Sequence, residues 1–447
     1  MDEAKPFHLK GNFAPVQDEV SAENLEVEGA IPSGLQGLYL RNGANPVTGH
    51  SEHWFLGQGM VHGVRLEGGS AAWYRNRYVQ TPFLDNPEIQ RISPDGQVDR
   101  RVSAANTHVI GHHGKILALE EGSFPCELDG QLETVGFTDF GGRLDTAFTA
   151  HPKICPVTGE MLAFGYSWNS PHLVYHRVSP EGELVQSEEI TVPGPTMMHD
   201  FMVTEKYALF LDLPVVFDIE AAMRGTMPYK WSDDYGARVG IMPRTGNDSD
   251  VRWFEVEPCY VFHGLNAWDE GDTVVFDACR MSEIWREAGD LAGGTGQSTL
   301  HRFSFDLSSG VTKEETLEDR GMEFPRVANA RVGQKNRFGY AVTLKEAKGG
   351  GPGFGGYCKI DNHKGTLETR DLGEGVGAGE AVFAPAEGAA SDSDEGWLLS
   401  YIHDDRSGAS ELLIVDATDF TGTPAARVKL PQRVPFGFHG SWVPDPH

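Results

Sequence analysis

EGWLLSYIHDD (395–405) and SELLIVDA (410–417), nearly adjacent in the chain, decide the class of fold. Both runs are short, rich in β-branched and aromatic residues, and bounded by Gly, Asp or Ser, which is the signature of strands rather than helices. The same texture recurs upstream in LQGLYLRNG (35–43), AAWYRNRYVQT (71–81), HGKILALEEG (113–122), KYALFLDLPVVFD (206–218), DTVVFDACR (272–280), HRFSFDL (301–307) and RFGYAV (337–342). Turn pairs stand where hairpins should close: SPDG at 93–96, SPEG at 179–182 and LSSG at 307–310. With 54 Gly and 26 Pro, the 447 residues carry the punctuation that many short strands need.

Helical patterns are few. FDIEAAMRG (217–225), SAENLE (21–26) and MSEIWREAGDL (281–291) are the candidates. No βαβ alternation is present, and no G-x-G-x-x-G lies between a strand and a helix. GGGPGFGG (349–356) lacks the Lys-Ser/Thr ending of a phosphate cradle and reads as a flexible connection. An all-β chain of this length must protect its sheet edges, and a propeller does so by radial repetition. No clean repeat marks the blades, and no linker divides the chain, so one domain over 1–447 is expected. PAEGAASDSDEG (385–396) reads as an exposed excursion.

The formal net charge of −28 argues against nucleic acid as a partner and against attraction to an anionic membrane surface. Five widely spaced cysteines without C-x-x-C suggest neither a disulfide framework nor a thiolate zinc site. The N-terminal stretch lacks a basic region followed by an apolar one, and no run approaches the roughly 18 apolar residues of a membrane span. A reducing, cytoplasmic setting is expected. Membrane contact, if any, would be peripheral, through 217–231, for which a surface helix is the plainer reading.

Of the 17 histidines, most, such as His53 and His176, lie in polar or turn-rich contexts. Four differ: FTAHPK with His151, MMHDF with His199, VFHGLNAW with His263 and GFHGSW with His439. Each follows an apolar or small residue and has aromatics or Met nearby, as a ring pointing into a dry interior would. A buried imidazole without a partner is costly, so such a ring is either hydrogen-bonded in the core or bound to metal. Four in like settings favour metal, and neutral imidazoles suit iron, zinc, copper or nickel. Ring N–H groups of metal-bound histidines need acceptors. Glu121 in LALEEGSFP, Glu323 in MEFPR and Glu380 in GAGEAVF are suitable, each in an apolar or Gly-rich context; surface or turn positions are the alternative.

At these residues the chain resembles the carotenoid cleavage oxygenase family. The resemblance runs from GLYLRNGANP (37–46) through HWFLGQGMVHGVRL (53–66), YRNRYVQT (74–81), ANTHV (105–109), TAHPK, MMHDF, FHGLNAW and EFPR to FHGSW, nearly the whole chain. It implies an all-β, seven-bladed β-propeller with a cap of loops and short helices over one face. It implies one iron, Fe(2+), held by His151, His199, His263 and His439, with Glu121, Glu323 and Glu380 behind the rings. It also implies a small residue beside an open coordination position, which ANTHV puts at Thr107; an ordinary turn residue is the alternative. The implied reaction is scission of a carbon–carbon double bond of a lipophilic alkene by O2, giving two carbonyl products, with no nucleophile or general base beyond the metal centre.

Stilbene- and isoeugenol-cleaving relatives carry a Lys immediately before the first Glu and a Tyr in an upstream insertion, which read the substrate phenol. Here that position is Glu120, and 82–104 contains no Tyr. An apocarotenoid or similar long polyene is therefore expected. A stilbene or phenylpropanoid is the alternative, and a propeller that binds a lipophilic ligand without turnover is a third reading. Phe148, Phe201, Phe262, Trp268, Phe438 and Trp442 are candidates for an apolar tunnel and equally for the core. The sequence does not set the oligomeric state.

Overall fold

The computed structural model describes residues 5–224, 226–286, 297–346 and 351–445. By backbone proximity the chain forms two compact units, Met1–Asp139 with Arg337–His447, and Phe140–Asn336.

In the first unit, a five-stranded sheet runs in the spatial order Ser21–Glu23, Ser70–Tyr78, Met60–Glu67, Gly37–Arg41, Gly440–Pro444. Its last strand comes from the far end of the chain, with Leu38 opposite Val443 and Arg41 opposite Gly440. A second sheet is ordered Val27–Gly29, Ala426–Lys429, Ala409–Asp416, Gly396–Asp404. The outer edge of Gly396–Asp404 is covered by Val376–Ala378 and then by Val382–Pro385. Glu380 lies in the break between those two short strands. A third sheet comprises His108–His112, Lys115–Leu119, Cys126–Leu128 and Thr134–Phe137. Phe338–Lys345, Gly353–Asp361 and Thr366–Asp371 make a further antiparallel run. Apolar side chains of the first two sheets, among them Tyr39, Val64, Tyr74, Leu399, Leu412, Ile414 and Trp442, form one buried cluster.

The second unit carries three four-stranded antiparallel sheets. They begin with Lys153–Ile154, Met202–Val203 and Tyr260–Glu270. Its core is Leu162, Phe164, Tyr175, Phe201, Phe210 and Met242, packed without exposure. A hairpin of Val215–Phe217 and Tyr229–Trp231 is inserted in sequence between two strands of the second of these sheets, Tyr207–Asp212 and Arg238–Pro243, and Met322–Arg326 is the unit's last described strand. Among the described residues the chain has seven sheets of four or more strands, each built mainly from strands consecutive in sequence. These are the blades of the expected seven-bladed β-propeller.

The three turn pairs close as expected: the amides of Gly96 and Gly182 donate to the carbonyls of Ser93 and Ser179, and that of Gly310 to Asp306. All three glycines take φ near +80°, a conformation that penalises a Cβ. Three expectations need correction. SAENLE is no helix: Ser21–Glu23 is an edge strand opposite Trp73–Arg75. Six residues are too few to nucleate a helix unaided, whereas an open sheet edge offers every backbone group a partner. The expected helix at 281–291 does not form in its described part. Met281 ends a nine-residue strand, and Trp285 turns the chain with φ 51°; residues 287–291 lie outside the described ones. Of GGGPGFGG, residues 353–356 begin a strand rather than a loose connection; 349 and 350 lie outside the described residues. The third helix is present as Ile219–Met223, capped by Asp218, whose carboxylate accepts the Ala221 N–H at 2.9 Å; residue 225 lies outside the described ones. All five cysteines are buried thiols outside any disulfide.

Candidate metal site

Each of the four histidines lies at a strand that bounds its sheet. His151 precedes Lys153–Ile154, His199 precedes Met202–Val203, His263 lies within Tyr260–Glu270, and His439 precedes Gly440–Pro444. All four are buried. In the second unit, the Nε2 atoms of His151 and His199 are 3.1 Å apart, and those of His199 and His263 are 3.2 Å apart. The ligand atoms of His151, His199, His263 and His439 all lie within 4.8 Å of one another, a grouping able to hold a metal ion.

The surroundings of the rings select the state such an ion requires. The His263 Nδ1–H donates to Glu323 Oε2 at 2.5 Å. The His439 Nδ1–H donates to Glu380 Oε1 at 3.0 Å. A carboxylate cannot donate in return, so each pairing keeps the proton on Nδ1 and leaves a lone pair on Nε2. Several Nε2 lone pairs aimed at one point repel each other, and a cation there turns that repulsion into ligation. Both carboxylates are themselves held. Glu323 also accepts the Phe324 N–H at 2.8 Å and the Ser298 hydroxyl at 3.2 Å. Glu380 accepts the Gly440 N–H at 2.8 Å. The donor set therefore fits a metal that takes neutral nitrogen ligands.

Thr107 ends the loop before His108–His112, and its carbonyl accepts the His439 N–H at 3.1 Å. Its hydroxyl donates to Asn106 Oδ1 at 3.0 Å. Glu121 is half-buried in the turn after Lys115–Leu119. Both Glu120 oxygens have partners: Arg91 Nη2 lies 2.7 Å from its Oε2, and the Gly122 N–H donates to its Oε1 at 3.0 Å.

The six aromatic candidates divide. Phe262 meets His199 edge-on at 5.4 Å and packs on Trp285. Phe438, next to His439, packs on Trp54 and Phe55. Phe201 and Trp442 belong to core clusters, Phe148 stacks on His176, and Trp268 binds Glu270 through its indole N–H. Sequence reasoning gave Trp54, Phe55, Trp285 and Phe324 no role, although Phe324 stacks on His263 at 5.3 Å. Trp54, Phe55 and Phe324 lie in the matching stretches HWFLGQG and EFPR, their one signal in the sequence, whereas Trp285 lies in MSEIWREAGDL, which reads as a helix. His53 and His176, read as polar-context residues, are buried; burial pushes the imidazole of each down to about 4. At the 217–231 hairpin, Ile219 and Met223 are exposed, and Phe217 stacks on the part-exposed Trp168. No described helix is long and apolar enough to cross a membrane.

The family model described as retinal pigment epithelial membrane protein matches residues 13–444. A carotenoid cleavage oxygenase of Mycobacterium tuberculosis is 37% identical, over 99% of this chain and 98% of its own. A carotenoid 9,10(9',10')-cleavage dioxygenase of Crocus sativus is 36% identical, over 99% and 90%. Among solved structures, a lignostilbene dioxygenase of Pseudomonas brassicacearum superposes with a TM-score of 0.89 at 29% identity, covering 99% of both chains. A cobalt-substituted apocarotenoid oxygenase of Synechocystis gives 0.85 at 26%, covering 97% and 98%. The chain belongs to the carotenoid cleavage oxygenase family and is a dioxygenase of the carotenoid-cleavage type.

Proposed function

We propose that this chain holds one iron(II) on His151, His199, His263 and His439 and uses O2 to cut a double bond of an apocarotenoid or similar long polyene into two carbonyl products. The observation that carries the reading is the four-histidine grouping, with two of its rings fixed as Nε2 donors by Glu323 and Glu380. Bound iron supplies redox chemistry that opens O2 to reaction with an alkene, each carbon of the cleaved bond taking one oxygen atom.

The protein's own groups do the rest. Neutral imidazoles leave the ion's charge to be balanced by Glu323 and Glu380, with Glu121 assigned the same part behind another ring. Thr107, tied to the His439 backbone, is assigned to the side of the site where O2 and substrate enter. Phe262 with Trp285, and Phe438 with Trp54 and Phe55, supply apolar walls that exclude water and suit a flat, conjugated chain. No proton need be moved, which agrees with a centre that needs no general base.

Glu120 supports the polyene over a phenol. Both of its oxygens are engaged with Arg91 and Gly122, and the position that carries Lys in phenol-reading relatives offers the substrate no cationic donor. The likeness to a lignostilbene dioxygenase keeps a stilbene as the second reading. The decisive experiment incubates iron-loaded protein aerobically with an apocarotenal, a full-length carotene, resveratrol and isoeugenol, and identifies new aldehydes by mass. Apocarotenoid fragments are expected. Phenolic aldehydes alone would overturn the polyene assignment, and fragment length would locate the bond.

A further inference from the structure

Asp200, immediately after His199, is buried, and its carboxylate serves three parts of the second unit at once. Lys153 Nζ lies 2.6 Å from Oδ1. The Phe201 N–H donates to the same oxygen at 2.8 Å. The Gly264 N–H donates to Oδ2 at 3.0 Å. Lys153 is two residues beyond His151, and Gly264 is the residue after His263. One side chain therefore joins the segments that carry three of the four histidines.

Local structure shows why a brace is needed there. The strand Tyr260–Glu270 shifts register on both sides of Gly264, so its ladder with Thr273–Met281 is irregular where His263 projects. A bulge of this kind re-aims a side chain but weakens the pairing that would hold it. The Asp200 carboxylate accepts the Gly264 amide at that point. The approach is close: a Cβ on Gly264 would lie 2.5 Å from Met202 Sδ and 2.9 Å from the Phe276 ring. His151 lies just before a strand of only two residues, Lys153–Ile154, which by itself does little to fix a ring. The Lys153–Asp200 pair, with the lysine side chain 14% exposed and the aspartate 2%, ties that short strand down.

We infer that Asp200, with Lys153, is a positioning residue that sets the mutual spacing of His151, His199 and His263 and thereby the metal affinity of the site. The inference rests on the metal-site reading above. The bracket contacts no reacting atom and acts only through the segments it joins. Groups that orient metal ligands typically contribute 10–100-fold in affinity. Asp200→Asn keeps the size, removes the charge facing Lys153 and gives up one acceptor. Lys153→Met/Asp200→Asn removes both charges together and spares the fold an unpaired buried ion, because loss of both partners of such a pair is far cheaper than loss of one.

The test titrates metal-free protein with Co2+ and follows both the affinity and the ligand-field absorption of the bound ion. Wild type, Asp200→Asn, the double variant and Asp212→Asn are compared, with thermal melts of each metal-free protein. Asp212 is a buried carboxylate paired with Arg238 in the same unit and serves as the control for general destabilisation. The expected result is at least a tenfold loss of cobalt affinity and an altered cobalt spectrum in both the single and the double Asp200 variants, against less than threefold and no spectral change in Asp212→Asn. A wild-type spectrum and affinity in the folded double variant would overturn the inference while leaving the metal site standing. Equal losses in Asp212→Asn would overturn it by reducing Asp200 to general stability. Failure of the wild type to bind cobalt would overturn the metal site, and this inference with it.

Discussion

Glu323 and Glu380 play similar parts, yet replacing each with Gln should have unequal effects, because their remaining partners differ. Glu323 directs Oε2 at two donors, the His263 Nδ1–H and the Phe324 N–H, and Oε1 at the Ser298 hydroxyl. A Gln side chain can put its carbonyl oxygen in the Oε2 place and its NH2 toward Ser298 Oγ, which can accept. Every atom of the Gln amide has a partner and the His263 tautomer is retained; the losses are the negative charge and the acceptor of the rotatable Ser298 O–H. Glu380 directs Oε1 at the His439 Nδ1–H and Oε2 at the Gly440 N–H. Both partners are donors, so the NH2 of Gln must face one of them. Facing Gly440, it leaves two buried donors opposed, at about 1–3 kcal/mol. Facing His439, it is accommodated only if the imidazole moves its proton to Nε2, and that removes the lone pair the metal needs. Metal affinity therefore falls on either path. Expected losses are about tenfold for Glu323→Gln, in line with other outer groups, and at least about 100-fold, some 2.7 kcal/mol, for Glu380→Gln. Competition between the protein and a chelator for iron(II), with melts of the metal-free variants alongside, measures both. Equal losses, or a larger loss in Glu323→Gln, would refute the tautomer argument.

Two further outcomes follow from the same structure. Glu120→Lys alone sets a second cation beside Arg91 Nη2, 2.7 Å from the present carboxylate, and should lower the melting temperature without creating stilbene turnover. Arg91→Gln/Glu120→Lys should recover stability and gain cleavage of 4-hydroxystilbenes, measured as hydroxybenzaldehyde release; gain in the single variant would contradict the pairing. Stability should also fall with acid. Burial lowers His53 and His176 from the usual 6.5 to about 4, so the unfolded chain binds protons that the folded one refuses. Their contribution is complete above pH 6.5 and is lost as pH falls toward 4. Urea titrations at pH 7, 5.5 and 4 should show a steady decline, and a flat profile over that range would contradict neutral buried imidazoles.

Much of this was legible in residues whose local context has few readings. His151, His199, His263 and His439 stood out because a polar ring among apolar neighbours needs a reason, and the SPDG, SPEG and LSSG turns because Gly at φ > 0 has few substitutes. Other features depend on contacts between distant segments. SAENLE reads as helix on composition, and only the open edge beside Trp73–Arg75 makes it a strand. His53 and His176 look like surface residues from their polar neighbours in the chain, yet both are buried, His176 against the distant Phe148 and Thr146. Asp200 was in plain view inside MMHDF, but an acid beside a histidine gives no sign that it reaches Lys153 and Gly264. Phe148, Trp268 and Trp442 carried the same aromatic signal as Phe262 and Phe438, and alternation along a strand does not tell a wall of the site from the core.

The most direct test of the account is the metal itself. Protein purified without affinity tags that bind metal, then loaded anaerobically with iron(II) and desalted, should retain about one iron per chain, and His439→Ala should retain almost none while keeping its β-sheet circular dichroism. Full iron retention in His439→Ala, or a wild type that prefers calcium or holds no metal, would contradict the four-histidine centre on which the rest depends.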